Sequence, residues 1–212
     1  MQKKGFTLLE LLIVIGILAI LATAAVLVLN PAELLRQARD STRVSDLAAI
    51  NSSLALYLST VAVPQMDNQP TNTTSVCKQG GVTNKMVYTY NGGTPFHASN
   101  TFPYAIVSSV SRTSSTASRN VNGTGWLPVN FNAISGGNSP LSNLPVDPVN
   151  TTSTASSSNL VYTYGCDSVA NTFVITSKLE SAKYVTDLGM PAKDGGPDNG
   201  FYEIGTAPAL TL

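Results

Sequence analysis

Charge is what this sequence has least of. Of 212 residues, 24 are Lys, Arg, Asp or Glu, or 11%, where an ordinary soluble domain has about 25%. The 12 basic and 12 acidic side chains cancel, which argues against a basic face for nucleic acid and against an acidic disordered tail. Histidine is represented once, by His97. A Ser-His-Asp arrangement then has a single possible base, and the surrounding Thr94-Pro95-Phe96-His97-Ala98-Ser99 carries no nucleophile elbow. Nor is there a Gly-rich phosphate loop followed by Lys and Ser or Thr. Two cysteines, Cys77 and Cys166, exclude an all-cysteine tetrahedral metal site and leave two possibilities, one disulfide or two buried thiols. Nothing points to an enzyme.

The few charges are unevenly placed. Residues 1–46 hold nine, residues 47–166 hold six and residues 167–212 hold nine. A long uncharged middle can be disordered, but disorder combines low hydrophobicity with high net charge. This middle carries repeated Val, Tyr, Phe, Leu and Ile clusters, so it reads as folded and polar through hydroxyls and amides.

A long apolar run is present at the amino terminus. Leu11 to Leu29 contains no charged side chain, and 19 helical residues span ~28 Å, close to the hydrocarbon thickness of a bilayer. Lys3 and Lys4 precede it, which places that end in the cytoplasm and exports the remainder. Three readings compete: a cleaved secretory signal, with Ala22-Thr23-Ala24 as a small-x-small cleavage pattern, a permanent anchor, and the leader and stem of a filament subunit. Glu10 weighs against the first, as does the amphipathic pattern that continues the segment beyond residue 30. A carboxylate within an apolar run costs ~2.5–3.5 kcal/mol on insertion scales, and it is retained where something uses it; a carboxylate resting among headgroups is the bland alternative.

Lys3-Lys4-Gly5-Phe6-Thr7-Leu8-Leu9-Glu10-Leu11 resembles the processing and methylation motif of type IV pilin and type II secretion pseudopilin precursors: a basic leader ending in Gly, an apolar residue, and Glu four positions on. The resemblance covers about 25 residues. It implies that prepilin peptidase cuts after Gly5, that Phe6 becomes an N-methylated terminus, and that other pilin subunits, the assembly machinery and the membrane are the partners. It further implies a single-pass protein of the cytoplasmic membrane whose head is exported and then joins an extracellular or periplasmic filament. Glycine offers a protease no side chain to clear. Cleavage creates an ammonium on Phe6 that can offset the Glu10 carboxylate of a neighbouring subunit, and a buried charge is tolerated when paired.

The expected organisation is a leader over 1–5, a transmembrane helix over 6–29, an amphipathic stem over 30–60 and a β-rich head over 61–212. Asn30-Pro31-Ala32-Glu33 reads as a helix start, with Asn as N-cap, Pro at the first position and Glu three residues past the cap. Val44, Leu47, Ile50, Leu54, Tyr57 and Val61 form one apolar stripe. Arg36, Arg39, Asp40, Arg43 and Asp46 form the other face, with Arg36–Asp40 and Arg43–Asp46 at contact spacing. That face reads as solvated or as a contact between subunits.

Within the head, β-type runs recur at 86–90, 104–107, 126–131, 160–164, 172–176 and 201–204. The clearest hairpin joins 160–166 to 172–178 through Asp167 to Asn171. The fold class is therefore α+β, a long helix packed on an antiparallel sheet. The turn-rich segments 126–129 and 144–150 suit a sheet edge, and 179–184 is helix-compatible but follows a strand directly. Asp194, Asp198, Asn199 and Glu203 place oxygen donors around a Gly-rich loop of the type that suits calcium. Major pseudopilins carry a calcium loop near the carboxy terminus, and the likeness here is compositional; a solvated turn is the other reading. Asn51, Asn72, Asn122 and Asn150 stand in Asn-x-Ser/Thr patterns. The rival to a filament subunit is a membrane-anchored exported binding domain that does not polymerise.

Overall fold

The computed structural model describes residues 5–67, 77, 85–88, 108–111, 119–134, 136–150 and 160–207. Two helices lead the chain: α1 (Leu8–Leu29) and α2 (Pro31–Thr60). Asn30 separates them in the left-handed region, at φ 39° and ψ 76°. Pro31 is the cause, because its ring disfavours helical geometry in the residue before it, and Asn is one of the few side chains that enter the left-handed region at low cost. The expected cap does not form. Asn30 makes no side-chain cap bond, since a left-handed residue lacks the extended geometry an N-cap uses. Glu33, expected to complete that cap, instead accepts from the Ala182 amide at 2.7 Å.

α1 is apolar on every side and buries none of its Leu8–Val26 span against the rest of the chain. Such a helix needs lipid or other helices around it. α2 is the opposite case. Leu47, Ile50, Leu54 and Tyr57 are buried in one core with Trp126, Leu127, Val129, Phe131, Tyr162, Tyr164, Phe173 and Ile175. The ring of Tyr57 meets that of Phe131 edge-on, with centroids 6.1 Å apart.

The sheet facing α2 contains β1 (Lys85–Tyr88), β2 (Ser108–Ser111), β3 (Thr163–Asp167), β4 (Thr172–Ser177) and β5 (Tyr202–Gly205) in the order β2-β1-β3-β4-β5. The pairs β1–β3, β3–β4 and β4–β5 are antiparallel. The α+β class is thus present, with one correction to a wholly antiparallel sheet: β1 and β2 pair in parallel. The β3–β4 hairpin turns through Ser168 to Asn171, with Asn171 left-handed at φ 54°. Residues 104–107, expected as a strand, lie outside the described residues.

The segment 126–131 is not a strand. Pro128 cannot donate to a ladder, and the chain forms one isolated bridge, Asn122 to Asn130, followed by a 3₁₀ turn over Phe131–Ala133. Nor do 126–129 and Leu144 seal an edge: Trp126, Leu127, Val129 and Leu144 are core residues, and the Trp126 indole N–H donates to Pro145 O at 2.9 Å. Residues 183–187 form a π-helical turn, and Met190–Lys193 a short helix, α3.

The direction of the strands relative to α2 follows from hydrogen bonds made to α2 and to the segment after it. Tyr162 donates to Asp46 (2.8 Å) and Tyr164 to Met66 O (3.0 Å), so β3 ascends alongside α2 away from α1. β4 descends, and beyond it Glu180 and Ser181 bind Asp40 and Ala182 binds Glu33.

Candidate functional site

The amino-terminal site is built by the first turn of α1. Thr7 is the N-cap in extended geometry, its hydroxyl accepting from the Glu10 amide at 3.3 Å. The Glu10 carboxylate reaches back to accept from the Thr7 amide and the Thr7 hydroxyl, each at 2.9 Å. This capping box satisfies the carboxylate and two backbone donors at once, so Glu10 can enter a low-dielectric layer with partners in place. Thr7 is thus a functional position beyond those expected, and its signal in the sequence is the Thr-x-x-Glu spacing. Gly5 has open space where a Cβ would lie, and Phe6 is 86% exposed. The Gly5–Phe6 bond is therefore accessible, and its two residues stand at the end of a lipid-length helix.

A second polar centre fixes the head to α2. Arg43 is 0% exposed and donates through Nε and Nη2 to the two carboxylate oxygens of Asp147, at 2.6 and 3.0 Å. Its Nη1 donates to Asp40 at 2.8 Å and to Glu180 at 2.7 Å. Arg39 adds a two-pronged contact with Glu180, at 2.9 and 3.2 Å. Asp40 in turn accepts from the amides of Glu180 and Ser181 and from the Ser181 hydroxyl. The expected solvated face is corrected here: Arg36 pairs with Glu33, not Asp40, at 3.9 Å, and Asp46 takes the Tyr162 hydroxyl, not Arg43. Partners 104 and 137 positions away draw these side chains inward, where bidentate geometry compensates desolvation.

Burial favours the uncharged form of Glu180, but the hydrogen bonds of Arg39 and Arg43 outweigh it and hold the carboxyl below its ordinary value. Asp46 goes the other way: burial raises it despite the Tyr162 hydrogen bond.

Cys77 and Cys166 are joined as a disulfide, tying the segment after α2 to the upper end of β3. The carboxy-terminal loop is organised by its own backbone. Asp194 accepts from Gly196 N at 2.9 Å and Glu203 N at 2.8 Å, and Asp198 from Gly200 N at 2.7 Å. Burial raises Asp194 despite these amides. A Cβ on Gly196 would lie 1.5 Å from Glu203 Oε2, so glycine is required there by the buried carboxylate beside it. Asn199 is in the turn that follows Asp198. Among the described residues no group of three or more His, Cys, Asp or Glu side chains is placed to hold a metal ion.

Because β5 is the last strand in the sheet order and Glu203 N is bound to Asp194, that N–H points away from β4. The Asp194 side chain therefore caps an outward donor of the sheet edge. Of the Asn-x-Ser/Thr positions, Asn122 is exposed and accepts from Thr124 N and Oγ1, and Asn51 is half-buried on α2. The Asn150 side-chain oxygen is buried without a partner. Asn72 and His97 lie outside the described residues.

A helix of bilayer length whose Leu8–Val26 span is uncovered, begun by a capped carboxylate and followed by an α+β head, is a pilin-like architecture suited to membrane anchoring. Residues 1–26 match the family model described as the prokaryotic N-terminal methylation motif, the signature of type IV pilins and pseudopilins. Neither a curated protein nor a solved structure matches the chain.

Proposed function

We propose that this chain is the precursor of a structural subunit of a type IV pilus or pseudopilus-like filament. The observation that carries the reading is the methylation motif over residues 1–26 on a helix whose apolar surface the rest of the chain leaves uncovered. The α1 helix crosses the cytoplasmic membrane once with the head exported. Prepilin peptidase cuts after Gly5, Phe6 is N-methylated, and α1 exchanges lipid neighbours for the α1 helices of other subunits.

That exchange gains little from the hydrophobic effect, because lipid tails are as apolar as leucine; packing and polar pairing decide the register. The new Phe6 ammonium of one subunit supplies the polar partner for Glu10 of the next. Thr7 holds that carboxylate in the meantime, so Glu10 is never left in the membrane without a donor.

The amino-terminal residue of the mature chain tests the reading. N-methyl-phenylalanine at position 6 is expected. A start at Ala25 overturns it in favour of a secretory signal, and an intact Met1 in favour of a plain anchor for an exported binding domain. Glu10→Ala is expected to abolish filaments while the chain remains in the membrane.

A further inference from the structure

We infer that the turn 183–188 at the foot of the head rests in the outer interfacial layer of the same membrane that α1 crosses, with Val185 and Leu188 seated at the boundary between headgroups and acyl chains. The inference rests on the membrane-spanning reading of α1. It adds a second, separate contact with the bilayer, made by the head.

The depth of this turn is fixed by hydrogen bonds. Glu33 lies four residues beyond Leu29, the last residue of α1 and of its apolar run. At the helical rise that is about 6 Å, within the headgroup layer, which adds about 5–7 Å on each side of the hydrocarbon core. A bend at Asn30 lowers this height further. The Glu33 carboxylate binds the Ala182 amide at 2.7 Å, so Ala182 is held at the same level.

The direction of the chain is fixed as well. Glu180 and Ser181 are bound by Asp40, and Ala182 by Glu33, which lies seven residues nearer the membrane on α2. From β4 the chain therefore descends as far as Ala182, and 183–188 continue directly from that level. Only after α3 does the backbone return along β5, antiparallel to β4.

Its side chains suit that position. Val185 is 39% exposed and Leu188 45% exposed, two apolar side chains left partly open by the described residues, Leu188 also lining a cavity beside β5. Tyr184 lies between them and Lys183, whose ammonium is 5.5 Å from the Tyr184 ring centroid. An aromatic ring with a long cationic side chain is the composition of a headgroup anchor. Leu34 and Leu35, also exposed, stand on α2 at the same height. Lys183 is balanced by the exposed Asp187 in the same turn, so the contact depends on apolar seating, and salt has little influence on it.

The test uses the full chain in vesicles of phosphatidylcholine and phosphatidylglycerol, labelled with an environment-sensitive fluorophore at one introduced cysteine. Ile17→Cys reports α1. Val185→Cys reports the turn. Val169→Cys is the control at the tip of the β3–β4 hairpin, 71% exposed and at the opposite end of the head. The expected result is a blue shift and quenching by lipids brominated near the top of the acyl chain at positions 17 and 185, with neither at 169. Quenching at 17 but not at 185 overturns the contact and leaves the membrane span standing; no quenching at 17 overturns both. Val185→Asp with Leu188→Asp is expected to make a label at Thr186 accessible to aqueous iodide without changing the signal at 17. Equal iodide access before and after the double substitution counts against the contact.

Discussion

α1 and α2 follow one another with a single residue between them, yet they dispose of their surfaces by opposite means. α1 is apolar around its circumference and its Leu8–Val26 span is left uncovered by the described residues; α2 divides its surface, giving one stripe to the core and its charged side chains to Asp147, Glu180, Ser181, Ala182 and Tyr162. The difference teaches that folding of the head ends at Asn30. Everything before it is stabilised by what surrounds the chain, and everything after it by the chain itself. Within α2 the division recurs along the length: polar bonds hold its membrane-proximal half, and apolar packing its distal half.

The largest test removes the centre of the polar half. Arg43→Met leaves Asp40, Asp147 and Glu180 buried without their shared cation, and breaking a buried pair in this way costs about 3–5 kcal/mol. The urea midpoint of the detergent-solubilised chain should fall accordingly. An unchanged midpoint would show that the proximal half of α2 contributes nothing to docking.

Next in size is the distal half. Replacing Cys77 and Cys166 by Ser opens a link across a sequence separation of 89 and should cost about 2–4 kcal/mol. Thermal melting of the two forms checks this.

Acid distinguishes the two kinds of carboxylate on the α2 interface. Glu180 has a lowered folded value, so its contribution is complete above the ordinary value of 4.5 and is lost as pH falls through the folded one. Asp46 has a raised folded value, so its charged form costs stability at neutral pH, and protonation relieves that cost. Melting temperature should hold steady from neutral to about pH 5 and fall below about pH 4. Glu180→Gln should flatten the acid fall, and Asp46→Asn should raise the neutral melting temperature slightly.

The smallest effect is expected in α1. Leu18→Ala should leave the unfolding free energy of the head within about 0.5 kcal/mol, while altering filament assembly. A loss of the size seen for Arg43→Met would erase the boundary at Asn30.

Much of this architecture was legible in local spacing. The apolar run, the Asn30-Pro31 break, the α2 stripe and the β3–β4 hairpin each depend on residues within a few turns of one another. The polar centre was not. Arg43 and Asp46 stand at a spacing that ordinarily means an exposed pair, and nothing local says that Asp147 and Glu180 will arrive from distant segments to turn them inward. The run 126–131 misled for the same reason: Trp126, Val129 and Phe131 carry β-type side chains, but they join the core without strand pairing, Phe131 against Tyr57 of α2 and Trp126 against Tyr162. Thr7 was visible and undervalued, since its spacing to Glu10 is that of a capping box.

The Asp194 cap on β5 has a consequence at the scale of many copies. Heads brought side by side on a shared axis meet at high local concentration, and a bare sheet edge is a template for strand addition between any two of them. In the filament proposed above, the occupied Glu203 N–H removes one donor from that template. The Asp194 carboxylate would then act against cross-linking between heads along β5.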